Sequence, residues 1–161
     1  MLYTILRQKD RRNKMITDII RPSIMLVFLA ACGYMDMKKK TIPNVLTFTG
    51  MAVGLLLSWY CYGLKEGLGF SALSALIVFI VLIIPYHYGH IGAGDIKMIM
   101  LMAAFTGIAY TTEAVIVSSL LSGIVGIIIL IRKRNFRYML PFGIFIAVGT
   151  AIYQVITWVM M

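Results

Sequence analysis

Long apolar runs recur at 22–35, 45–62, 70–86, 96–110, 114–131 and 140–158, and they constrain the fold more than any other feature of this chain. A helix needs about 20 apolar residues to cross a bilayer core, with ~17–25 the usual range. The first and fourth runs are short for this; the rest approach or reach it. In lipid each segment must satisfy its own backbone hydrogen bonds, so the runs are expected to be helices. None alternates polar with apolar residues, as the strands of a membrane barrel would. The expectation is an all-α integral membrane protein, a polytopic bundle of about six transmembrane helices.

Composition removes the soluble alternative. Of 161 residues, 61% are hydrophobic and 13% charged, against ~45–50% and ~25% in soluble domains. So few polar groups cannot cover a globule in water. In a soluble protein the net charge of +9 would point to nucleic acid. In a membrane protein Lys and Arg gather in cytoplasmic loops against anionic headgroups. The expected partner is therefore the lipid bilayer, with no nucleic acid. No linker divides the chain: residues 1–21 read as a basic N-terminal tail and 22–161 as one membrane-embedded domain. The tail lacks the small-residue pattern of a cleavable signal.

Charge in short loops sets orientation. The first, third and fifth loops hold Lys38, Lys39, Lys40, Lys97, Arg132, Lys133, Arg134 and Arg137; the second and fourth hold only Lys65. The odd loops are expected in the cytoplasm and the N-terminus outside. The basic tail argues the other way, but three loops agree against it.

Six acidic residues occur: Asp10, Asp18, Asp36, Glu66, Asp95 and Glu113. Asp10 and Asp18 belong to the tail, and Glu66 and Glu113 to turns on the expected outer side. Asp36 and Asp95 each stand at the edge of an apolar run on the expected cytoplasmic side. A carboxylate at that depth is costly unless paired, hydrated or functional. Two carboxyls brought together cannot both ionise readily, so they share a proton. The ionised member can deprotonate a water, while the protonated member polarises a peptide carbonyl and then protonates the leaving amine. That is peptide hydrolysis with no metal and no cofactor. Either acid could instead cap the helix after it, as Asp often does. Taken singly, the residues leave both readings open.

The surrounding motifs decide between them. Gly92-Ala93-Gly94-Asp95 is G-x-G-D, in which glycines permit sharp turns and close backbone approach, and it continues as Ile96-Lys97. The other acid opens Asp36-Met37-Lys38-Lys39-Lys40-Thr41-Ile42-Pro43-Asn44-Val45-Leu46-Thr47. Together these resemble the type IV prepilin peptidases, and the last run opens with a similar Leu140-Pro141-Phe142-Gly143. Ile144 stands where that family often has a second proline. The resemblance implies that Asp36 and Asp95 are the catalytic pair. It implies cleavage of the short basic leader of a prepilin-like precursor at the cytoplasmic face of the cell membrane. It covers nearly the whole chain from Pro22 onward. The C-x-x-C domain of longer members is missing, which is similar to the short form of tight-adherence pilus and archaeal preflagellin peptidases. No N-methylation is expected.

Around the acids, Gly92, Gly94, Lys97, Pro43 and Asn44 are the motif and substrate-approach candidates. Pro43 and Asn44 suit the first turn of a helix. Lys97 could lower the pKa of an acid or hold a substrate carbonyl, and it equally suits a snorkelling lysine at the interface. His87 and His90 are two potential ligands where a metal site needs three or four, so no metal is expected. Cys32, Cys61 and the 12 methionines read as packing. Two rival functions remain: an intramembrane peptidase of the presenilin or signal-peptide-peptidase type, and a small ion or proton transporter, since membrane carboxylates also mark ion paths.

Overall fold

A computed structural model describes residues 19–133 and 142–160. The tail up to residue 18, Arg134 and Arg137 of the fifth loop, and Leu140-Pro141 lie outside the described residues. Every described element is helical: α1 (Arg21–Lys39), α2 (Asn44–Gly63), a π-helical turn (Leu64–Gly69), α3 (Phe70–His87), α4 (Ala93–Lys133) and α5 (Phe142–Met160).

Local chemistry explains most of the boundaries. Pro22 sits in the first turn of α1, where its missing N–H costs nothing. That helix does not stop at Asp36, where the apolar run ends. It continues through Lys38 and Lys39 in its last turn, because cations there face the negative end of the helix dipole. It closes at Lys40, left-handed with φ 52°, whose N–H bonds the Asp36 carbonyl at 2.9 Å. Pro43, with φ −62° and ψ 131°, then turns the chain into α2. Its carbonyl accepts the Leu46 N–H at 3.2 Å.

The six expected helices are not found as six separate spans. Three continuous helical stretches are long and apolar enough to cross a membrane: Asn44–His87, Ala93–Ile129 and Phe142–Met160. The second and third runs are joined by the π-helical turn, and the fourth and fifth lie together in α4. The first run forms a helix, but Arg21, Asp36, Lys38 and Lys39 are part of it.

Glycines interrupt both long stretches, at Gly63 (φ 85°, ψ −175°) and Gly107 (φ 80°, ψ 177°), values that favour a residue without Cβ. The bend at Gly107 is sharp. Thr150 of α5 reaches Met102 Sδ at 3.7 Å, while Ser118 donates to the Ile146 carbonyl at 3.4 Å. In a straight helix Met102 and Ser118 would stand about 24 Å apart, too far to meet one turn of α5. The chain therefore doubles back at Gly107.

The core is the first half of α4, wrapped by its neighbours. Met98, Leu101, Met102 and Phe105 are fully buried, with Met25, Leu29 and Cys32 of α1 and Ile146 of α5 against them. In lipid no hydrophobic force draws helices together, so small residues and close packing must. Gly50 and Gly54 of α2 face Leu101 and Phe105, and Gly149 of α5 faces Ser118. A Cβ at Gly149 would stand 2.5 Å from Ser118 Cα, a backbone atom that cannot swing aside. Gly149→Ala is expected to destabilise by about 1–3 kcal/mol, read as a lower unfolding midpoint of the detergent-solubilised protein.

Arg21, grouped with the tail in sequence, is buried as the first residue of α1. It donates to Ser58 Oγ at 2.6 Å and to the Phe105 carbonyl, and its guanidinium lies 5.3 Å from the Tyr62 ring. This cluster ties α1, α2 and α4 together at the end away from Asp36 and Asp95.

Candidate active site

Asp36 lies in the final turn of α1 and faces the start of α5. Its Oδ2 accepts the Gly143 N–H at 3.0 Å. The first N–H groups of a helix have no partner within it, and here a carboxylate from another helix supplies one. The approach depends on Gly143, where a Cβ would come within 2.8 Å of Oδ2.

Asp95 is the third residue of α4. Its N–H bonds the Gly92 carbonyl at 3.1 Å, and its Oδ2 accepts the Gly92 N–H at 3.3 Å. This is one half of a capping box, in which the third-position acid reaches back to the cap. The capping role weighed for Asp95 is thus present, alongside its place in the cleft. Gly92 and Gly94 serve close approach and not an unusual dihedral: the left-handed glycine of this loop is Gly89, at φ 73°. A Cβ on Gly92 would meet Asp95 Oδ2 at 3.1 Å, and one on Gly94 would meet Ile42 Cδ1 at 3.0 Å.

Both acids line one cleft of about 600 Å³, with Lys40, His90, Lys97 and Phe142. Each acid is half-buried. Of the sequence candidates, Gly92, Gly94 and Lys97 also line this cleft. Pro43 and Asn44 stand at the start of α2, and Asn44 joins the site through Lys97, whose Nζ donates to Asn44 Oδ1 at 2.6 Å. Among the described residues no group of three or more His, Cys, Asp or Glu could hold a metal ion.

Gly143, Ile42 and Phe142 stand in the quoted motifs, but the motifs give them no place in the site. The Phe142-Gly143 pair was visible as a helix opening. Nothing in the chain says that the Gly143 amide meets a carboxylate 107 residues away.

Helices this apolar define a membrane protein, and two carboxylates line one of its clefts. The profile of the type IV leader peptidase family matches residues 23–131, more than half of the chain. The chain belongs to that family, which makes it a peptidase acting on a precursor protein. No curated protein and no solved structure matches it.

Proposed function

We propose that this protein is an aspartic endopeptidase that removes the short basic leader of a type IV prepilin-like precursor at the cytoplasmic face of the cell membrane. The observation that carries the reading is the meeting of Asp36 and Asp95 in one cleft. The pair shares a proton. Its ionised carboxyl takes a proton from water as the water oxygen adds to the scissile carbonyl carbon. Its protonated carboxyl hydrogen-bonds the carbonyl oxygen, then gives its proton to the amine nitrogen as the C–N bond breaks. The products are a leader ending in a new carboxylate and a mature chain with a new amino terminus. No cofactor takes part, and no methyl transfer follows.

In the proposed topology the breaks at Gly63 and Gly107 turn the long stretches back through the bilayer, giving six passes. The acid cleft faces the cytoplasm, because Lys38, Lys39, Lys40 and Lys97 stand at that end and cations favour that side.

The test uses a designed precursor: a short lysine-containing leader, a glycine, then an apolar helix of ~20 residues. Detergent-solubilised protein is expected to release the leader, with mass analysis locating the cut just before the apolar helix. An intact precursor, or a cut inside the helix as a presenilin-type peptidase would make, overturns the proposal.

The Lys97–Asn44 bond fastens the cleft-bearing turn of α4 to α2. An exposed bond of this kind is worth about 1 kcal/mol, so Lys97→Ala and Asn44→Ala should each slow cleavage about fivefold. Removing both should cost no more than removing one, since each single change already breaks the bond. Initial cleavage rates at matched protein levels check this.

A further inference from the structure

Beside the acid cleft a second hollow of about 400 Å³ opens among α2, α3 and α4. Phe48 and Met51 of α2, Phe79 and Ile83 of α3, and Ile96 and Met100 of α4 wall it. It exists because α2 and α3 pack chiefly through the π-helical turn at their far end and touch each other little elsewhere. Its walls belong to stretches apolar enough to lie in the membrane. Other apolar faces, such as that carrying Ile124, Ile127 and Ile128, are also exposed, but those residues do not line the acid cleft or this groove.

Two residues line both hollows: Ala93 and Lys97, in the first turn of α4. The groove therefore adjoins the acid cleft across these two residues. A polypeptide with its scissile bond between Asp36 and Asp95 must leave the cleft on both sides. The cleft itself offers polar lining at Lys40, Thr41 and His90. The apolar groove adjoins it at Ala93. Lys97, held by Asn44 at 2.6 Å, stands at the junction. A segment continuing into lipid must satisfy its own backbone, so it must be helical.

We infer that the groove between α2 and α3 receives the first turns of the apolar helix that follows the cut in the precursor. The inference rests on the leader-peptidase reading and adds the surface that selects the substrate's membrane segment. The hollow falls within the ~300–1,000 Å³ typical of binding sites. That is room for side chains of one helix face, with the rest of the helix left to lipid.

Two measurements test it. Ile83→Trp fills the groove without touching the acids. It is expected to lower kcat/KM on the designed precursor by about tenfold, a loss of ~1.4 kcal/mol in binding. A soluble peptide holding only the leader and the first residues past the cut should be cleaved at the wild-type rate. Independently, benzoylphenylalanine in place of Phe79 should photocrosslink to the precursor in the Asp95→Asn background, and the same group at Ile127 should not. Full-rate cleavage of the precursor by Ile83→Trp overturns the proposal. So does a Phe79 probe that captures only lipid. If both substrates slow together, the crosslink decides: an adduct at Phe79 upholds the groove and its absence overturns it. If the wild-type protein cuts neither substrate, the peptidase reading fails, and the crosslink still reports on the groove alone.

Discussion

Asp36→Asn and Asp95→Asn are each expected to abolish leader removal, lowering kcat/KM by at least about 10³-fold, toward the upper range for loss of general acid–base catalysis. Asparagine keeps the shape of the side chain and an oxygen acceptor. It can still accept the Gly143 N–H at position 36 or the Gly92 N–H at position 95, bonds of 3.0 and 3.3 Å in the native protein. Helix packing and membrane insertion should therefore survive. What the amide cannot do is take a proton from water or share one with its neighbour. Because the two groups act as a unit, the double variant should be no worse than either single one. Processed and unprocessed precursor, resolved by mass at equal protein levels, give the measurement. Wild-type processing by either variant would remove the acid pair from the mechanism. A protein that moved protons or ions with these acids yet cut no peptide would belong to the transporter class instead.

Hydropathy located the helices well where polarity and backbone geometry change together. The run 45–62 became Asn44–Gly63, and 70–86 became Phe70–His87. It misplaced the break inside α4 because it reports polarity, not φ. The polar Thr111-Thr112-Glu113 stretch looked like a loop, but it is helical, and the chain turns four residues earlier at Gly107. The turn packs against a distant residue, with Phe70 Cε1 3.0 Å from where a Cβ of residue 107 would stand. The site divides in the same way. Gly92, Gly94 and Asp95 form a local structure, a capping turn, and a local structure can be read from a local motif. The Asp36 environment is assembled from α1 and α5, and no spacing announces it. Lys97 adds a contact that no local motif announces, its bond to Asn44 at the start of α2.

The dependence of Asp36 on Gly143 leads to an effect second only to loss of the acids. Gly143→Ala is expected to lower kcat/KM by about 10²-fold, the scale of loss when a reacting group moves by ~1 Å. The added Cβ would stand 2.8 Å from Asp36 Oδ2 and 3.2 Å from its Cβ and Cγ. The nearest of these is the free end of a side chain and not backbone, so the carboxylate can rotate away at small cost to packing. In rotating it gives up the 3.0 Å bond from the Gly143 N–H and its present position in the cleft shared with Asp95. Activity should therefore fall far more than stability, the reverse of Gly149→Ala, where backbone blocks the way. Gly123→Ala is the matched control, since a Cβ there meets nothing within 4 Å, and it should leave both properties unchanged. Cleavage kinetics and unfolding midpoints for the three variants separate the cases. If Gly143→Ala cuts at the wild-type rate, or loses rate only in step with its unfolding midpoint, the Gly143 amide has no part in aiming Asp36.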